Sequence, residues 1–169
     1  MDAKDVAWSD VFEWKKAVEL GVVLMIIMCQ TGANSIFYYS STIFGFAGFD
    51  DAILGTVIVN GVLCSVTVLS AYLVDKMGRK TLLMGGTQTM FVALVTLSAT
   101  MWFGDSLGEA QGAIAVLAVI LFVMGWGIGL GAVAWVVMAE IIPTHIRSKA
   151  YSLFVSVMWL NSFLIGMCD

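Results

Sequence analysis

An all-α fold, a polytopic bundle of membrane-spanning helices, is predicted by two observations. Long apolar runs recur along the chain, and every Lys and Arg falls in alternate connections between them. Of 169 residues, 60% are hydrophobic and only 12% are charged, and the mean hydropathy is +0.97. That is more apolar surface than one soluble core can use. About 20 apolar residues, rising 1.5 Å each as a helix, cross the roughly 30 Å hydrocarbon layer of a bilayer. Four such runs lie near 17–42, 53–74, 82–103 and 113–139, and a fifth, shorter one lies near 150–167.

Residues 1–16 form a lead-in that carries Lys4, Lys15 and Lys16. It lacks the charged start, short apolar stretch and cleavage site of a removable signal, so the first run is expected to remain in the protein. The second run ends in DKMGRK at 75–80, four charges in six positions, which separates it from the third. The fourth run ends at Glu140, followed by Pro143, Arg147 and Lys149. Pro143 is the only proline. It lacks an N–H and disfavours helical geometry in the residue before it, so the helix should end or bend there. The connections around Asp50 and Asp51, and around Asp105 and Glu109, contain no Lys or Arg. Orientation follows Lys and Arg rather than net charge, which here is -4. The N-terminus and DKMGRK are therefore expected in the cytoplasm and the C-terminal end outside.

Several chemistries are argued against. Cys29, Cys64 and Cys168 fall within apolar runs without CxxC or Cys/His spacing, and His145 is the only histidine, so neither a disulfide framework nor a metal site is expected. No GxxxxGK[ST], GxSxG, HExxH or GxGxxG pattern occurs. The glycine-rich GWGIGLG at 125–131 lies inside a hydrophobic run, where close helix packing explains it better than a phosphate cradle. The chain is not expected to be an enzyme, to carry a cofactor or to bind nucleic acid.

Three stretches occur together: TGANSIFYYSSTIF at 31–44, VDKMGRK at 74–80 and GAVAWVVMAEIIPTHIRSKAYSLF at 131–154. They resemble the C-terminal half of the sugar porter family of the major facilitator superfamily. That family writes its seventh helix as QQxxGxNxxxYY, the loop after the eighth as D/E-R/K-x-G-R-R/K, and the end of the tenth as PxPWxxxxEIFPxxxRxxA. AWSDVF at 7–12 is similar to the short amphipathic lead-in before the seventh helix. The resemblance implies a partial major facilitator fold, about five spans corresponding to helices seven to eleven of a six-helix half. Such transporters rock two halves about a site near the bilayer midplane.

The resemblance also implies roles. Asp75, Gly78, Arg79, Lys80, Glu140, Pro143 and Arg147 form a cytoplasmic latch, with Arg79 pairing with Glu140, and Asp75 with Arg147 or Lys149. Exposed pairs are each worth only about 0–1 kcal/mol, so such a network biases a rocking equilibrium rather than holding the fold. Simple anchoring of the loop by its positive charges is the plainer alternative. On the substrate side, Asn34 is costly to leave unpaired within a span and should face a helix neighbour or a wet cavity. An amide both donates to and accepts from hydroxyls, and Thr31 stands beside it in the motif. Trp135 and Trp159 occupy the tryptophan positions that flank the sugar, where an indole covers C–H faces while its N–H donates to an oxygen. Trp126 is a third candidate. Tyr38 and Tyr39 correspond to an outer gate, although tyrosines at span ends also serve as interfacial anchors.

Departures from the family pattern weaken glucose-like recognition. The glutamine pair is replaced by Met28 and Cys29 with Gln30 one position on, which turns a side chain by about 100°. Leu63 stands where the eighth helix has asparagine, with Asn60 one turn earlier. Ala132 and Ala134 replace the two prolines, so the tenth helix should be straighter. Ser162 replaces the eleventh-helix asparagine, with Asn161 beside it. The expected function is that of a fragment of a plasma-membrane carrier for a hexose, pentose or polyol, needing lipid and a missing N-terminal half or another membrane subunit. A truncated, non-transporting protein that binds other helices or senses sugar is the alternative.

Overall fold

The computed structural model describes residues 8–46, 52–104, 108 and 110–167. Lys4, Cys168 and the acidic positions Asp50, Asp51, Asp105 and Glu109 lie outside these residues. Among the described residues the helices are α1 (Trp8–Glu13), α2 (Lys15–Gln30), α3 (Ala33–Phe46), α4 (Ala52–Met77), α5 (Arg79–Trp102), α6 (Ala110–Ile128), α7 (Leu130–Ile141) and α8 (Arg147–Gly166). In a hydrocarbon layer no water satisfies a backbone N–H or C=O, so segments this apolar close their hydrogen bonds internally as helices. Four stretches are long and apolar enough to cross a membrane: Lys15–Gly45, Ile53–Met77, Arg79–Trp102 and Ala110–Ile141. The protein is a multi-pass integral membrane helix bundle. The fifth apolar run is also a helix, the 20-residue α8, which carries Ser148, Tyr151, Ser152, Ser156, Asn161 and Ser162 among its apolar residues.

One of these stretches, read as one run in the sequence, comes in two pieces: it breaks between α2 and α3 at Gly32, whose φ of +73° only glycine adopts without strain. The fourth passes from α6 into α7 with its hydrogen bonds intact, Gly129 donating to the Gly125 carbonyl at 3.0 Å and Val133 to the Gly129 carbonyl at 3.0 Å. At Pro143 the helix stops as its chemistry requires, and Ile146 turns back to donate 3.2 Å to the Pro143 carbonyl.

The chain divides into two compact units, Met1–Asn34 with Trp135–Asp169, and Ser35–Ala134. In the first unit α2 packs along α8, and α1 touches both. Phe154 is fully buried, and a Cβ at Gly21 would collide with its ring. Val11 anchors α1 in the same core, and Lys149 lies 5.5 Å from the Trp8 ring centroid.

In the second unit α5 and α6 approach backbone to backbone. A Cβ on Gly86 would lie 2.6 Å from the Gly125 carbonyl oxygen and 2.6 Å from the Gly129 Cα. Apolar attraction between helices is no driving force among lipid tails, so small residues that allow intimate contact take its place. α4 packs on α6 where Gly127 meets Val66 and Leu63. There Ser70, fully buried, donates 2.9 Å to the Ile128 carbonyl at the end of α6. The opposite faces of α4 and α5 carry exposed Val57, Val68, Phe91 and Val95, a surface suited to lipid rather than water.

Candidate functional site

The first unit holds a polar cluster around the break in the first span. Thr31 ends α2 by donating its hydroxyl 2.8 Å to the Met28 carbonyl, one of the acceptors a helix C-terminus leaves unpaired. Gly32 then turns the chain, and nothing lies within 4 Å of where its Cβ would be, so backbone conformation rather than space selects glycine. Asn34, in the first turn of α3, donates its amide Nδ2 3.0 Å to the Ser162 hydroxyl on α8. Cys29 Sγ lies 3.6 Å from the same Ser162 oxygen and donates to the Met158 carbonyl at 3.5 Å. Asn161 adds a bond of 3.4 Å from Nδ2 to the Ile26 carbonyl. Trp159, one turn before Ser162 on α8, is 64% exposed.

Trp135 belongs to the same unit but to another level of it. Its carbonyl accepts the Tyr151 hydroxyl at 3.1 Å, and the two rings lie 6.0 Å apart at 33°. Tyr151 in turn meets the Phe154 ring, the centroids 6.0 Å apart and the planes tilted by 51°. Eight residues of α8 separate Tyr151 from Trp159, about 12 Å along the axis at 1.5 Å per residue. Asn34 and Thr31 thus flank one helix break, Trp159 lies one turn along α8 from Asn34's partner Ser162, and Tyr151, which meets Trp135, lies about two turns from Trp159.

The remaining substrate-side candidates lie in the second unit. Trp126 is half-buried and covers Gly131, where a Cβ would fall 2.9 Å from the indole nitrogen. Tyr38 and Tyr39 are both exposed on α3. Of the positions where the resemblance expects polar groups, Asn60 bonds its own helix at the Thr56 carbonyl, 2.8 Å away. Met28 and Cys29 are buried while Gln30 is exposed, so the replaced glutamine pair contributes a thiol to the cluster.

The charged connections repeat one local design. Gly78, at φ +81°, joins α4 to α5. Arg79, the first residue of α5, folds back to reach the Asp75 carboxylate at 3.6 Å and the Val74 carbonyl at 3.3 Å. Arg147, the first residue of α8, donates 3.3 Å to the Ile142 carbonyl. Each arginine thereby meets a carbonyl five residues earlier, at the end of the preceding helix, where positive charge is favoured. Arg147 also keeps a buried Nε–H with no hydrogen-bond partner among the described residues. Lys80 and Glu140 are exposed, and Pro143 is half-buried. Among the described residues no group of His, Cys, Asp and Glu could hold a metal ion.

Chemically, the cluster offers one amide, one hydroxyl and one exposed indole near a helix break, a set that suits a neutral ligand with both hydroxyls and C–H faces. The sequence reading missed the parts played by Ser162, Cys29 and Tyr151. Ser162 had been read as a lost amide, and only its contact with Asn34, 128 positions away, shows what the hydroxyl does.

The family signature described as "Sugar (and other) transporter" matches residues 1–169. Among curated proteins, the chain is 35% identical over 156 residues to sugar transporter ERD6-like 16 of Arabidopsis thaliana, covering 91% of this chain and 32% of that protein. It is 32% identical over 151 residues to the D-xylose-proton symporter of Escherichia coli strain K12, covering 88% of this chain and 30% of the symporter. Among solved structures, it matches the major facilitator superfamily proton:xylose symporter bound to 6-bromo-6-deoxy-D-glucose. The TM-score is 0.77 at 32% identity, over 90% of this chain and 32% of that one. The chain thus spans about a third of the length of the relatives it matches.

Proposed function

This chain belongs to the sugar (and other) transporter family, a family of carriers and not of enzymes, and on that premise we propose that it forms part of an alternating-access carrier for a hexose, pentose or polyol. The observation that carries this reading is the Asn34 amide, held at 3.0 Å by Ser162 at a break in a spanning helix, with exposed Trp159 one turn along α8. Discontinuous helices at mid-membrane are where such carriers bind their substrates. An amide serves the hydroxyls of a sugar, and an indole its C–H face. Thr31 belongs to the same subsite, Trp135 and, in the other unit, Trp126 are further substrate-binding candidates, and Tyr38 and Tyr39 serve as the outer gate.

Arg79, Lys80, Asp75, Glu140 and Arg147 act at the cytoplasmic ends, with Gly78 and Pro143 shaping their turns. The unpaired Nε–H of Arg147 suits a residue that gains a carboxylate in one state of the transport cycle, because a buried donor without a partner is costly. The carrier sits in the plasma membrane with the N-terminus of this chain in the cytoplasm. Further helices, from an N-terminal half or another membrane subunit, supply the opposite wall of the cavity.

The test is ligand binding by the protein in lipid nanodiscs, followed by saturation-transfer NMR with D-glucose and D-xylose and with L-glucose as control. Saturable binding of a D-sugar, weakened about threefold to tenfold by Asn34→Ala and by Trp159→Ala, is the expected result. Absence of saturable binding for every hexose, pentose and polyol tried would dismiss the reading.

A further inference from the structure

We infer that Ser162 is a positioning residue, one that fixes the Asn34 amide so that its Oδ1 and second N–H are presented together to a vicinal diol. This rests on the sugar-binding reading above and goes beyond it by assigning the subsite a fixed donor–acceptor pattern. The first observation is the use made of hydroxyls in these helices. Ser65, Thr67, Thr87, Thr89, Ser152 and Ser156 each donate to the carbonyl four residues earlier, the ordinary outlet for a hydroxyl in an apolar helix. Ser162 does not follow them. The carbonyl four residues before it, on Met158, takes the Cys29 thiol instead. The Ser162 oxygen is left to receive Asn34 at 3.0 Å and to meet Cys29 at 3.6 Å.

The second observation is the state of the amide. Asn34 is exposed and has one hydrogen bond among the described residues, from Nδ2 to Ser162. An asparagine amide carries two N–H donors and one carbonyl acceptor. With one N–H committed, the amide plane cannot rotate freely. The free N–H and Oδ1 then form a fixed donor–acceptor pair about the width of two adjacent sugar hydroxyls. Gly32 sets the backbone before Asn34 at φ +73°, so both the main chain and the side chain of this residue are constrained before a ligand arrives. Such preorganisation lowers the ordering cost of binding. Ser162, smaller than the asparagine expected at its position, leaves the diol in contact with Asn34 and Trp159 rather than with α8's own polar group.

The experiment is a double-mutant cycle on the protein in nanodiscs, with D-glucose and 2-deoxy-D-glucose titrated by saturation-transfer NMR. Ser162→Ala is expected to raise the D-glucose Kd about threefold to tenfold, and Ser162→Thr, which keeps a hydroxyl, to restore it to within twofold. In an Asn34→Ala background, Ser162→Ala should change Kd by less than twofold, because a residue that acts only through Asn34 has nothing left to position. An equal loss in both backgrounds would show direct sugar contact or general damage and overturn the inference. So would an unchanged Kd for Ser162→Ala in the otherwise intact protein. A protein that binds no sugar at all sinks the functional reading itself, and this inference with it.

Discussion

Tyr151 makes a hydrogen bond that no sequence motif announces. Its hydroxyl reaches 3.1 Å to the Trp135 carbonyl and ties α7 to α8 while its ring meets Trp135 and Phe154 at tilted angles, each centroid 6.0 Å away. Tyr151→Phe keeps the ring contacts and removes only the bond, which between membrane helices is worth about 0.6 kcal/mol on average and up to about 1.7. Reversible unfolding in mixed detergent should show a loss in that range. A loss of several kcal/mol would mean that ring packing, too, had been disturbed. Single residues were legible here where their presence in lipid is costly. Asn34 stood out because an amide in a span must find a partner, but which partner it finds is a matter of tertiary contact, and Ser162 looked like a deficit. Likewise the motif groups Trp135 with Trp159, while the contact Trp135 makes is with Tyr151, eight residues or about 12 Å before Trp159 along α8.

Glycine placement governs the elements. Gly85 and Gly86 are neighbours on α5, yet a Cβ at Gly85 meets nothing within 4 Å, and one at Gly86 meets the backbone of α6 at 2.6 Å. Backbone atoms cannot swing aside as a side chain does, so Gly86→Ala must push α5 and α6 apart. That overpacking should cost about 1–3 kcal/mol. Gly85→Ala should be neutral or slightly stabilising, since alanine is the better helix former. Thermal melts of the two variants in the same detergent decide the matter, and equal melting temperatures would refute the close α5–α6 contact. The helices themselves were legible from apolar run length, because hydrocarbon leaves the backbone no alternative. The break between α2 and α3 was less so. Gly32 gives no sign of its positive φ in the sequence, since a glycine in an apolar run reads equally as packing. Ser70, which ties α4 to α6 through the Ile128 carbonyl, has no sequence signature that sets it apart from Ser65 and Thr67 of the same run.

At the scale of the whole molecule, the sidedness of its connections follows from where its charges can reside. α5 has 24 residues, about 36 Å at 1.5 Å per residue, and so is long enough to cross the roughly 30 Å apolar layer. Lys76 ends α4 with its ammonium 4.3 Å from the Tyr72 ring centroid, and Lys80 follows in the first turn of α5. Both keep charge at one end of these helices, while Phe103 lies just beyond the other end of α5 and is exposed. Moving a lysine or arginine to the bilayer centre costs about 2.5–3.5 kcal/mol on insertion scales. In the proposed orientation these basic residues hold their ends in the cytoplasm. In a background lacking Cys29, Cys64 and Cys168, single cysteines at Lys80→Cys, Ser148→Cys and Phe103→Cys give three reporters on solvent-facing positions. In intact cells a membrane-impermeant maleimide should label the Phe103→Cys protein alone, and the other two should react only after the membrane is permeabilised. Labelling of Lys80→Cys and Ser148→Cys from opposite sides would separate the two arginine-bearing connections across the bilayer. The proposal that Arg79 and Glu140 share a cytoplasmic switch could not survive that result.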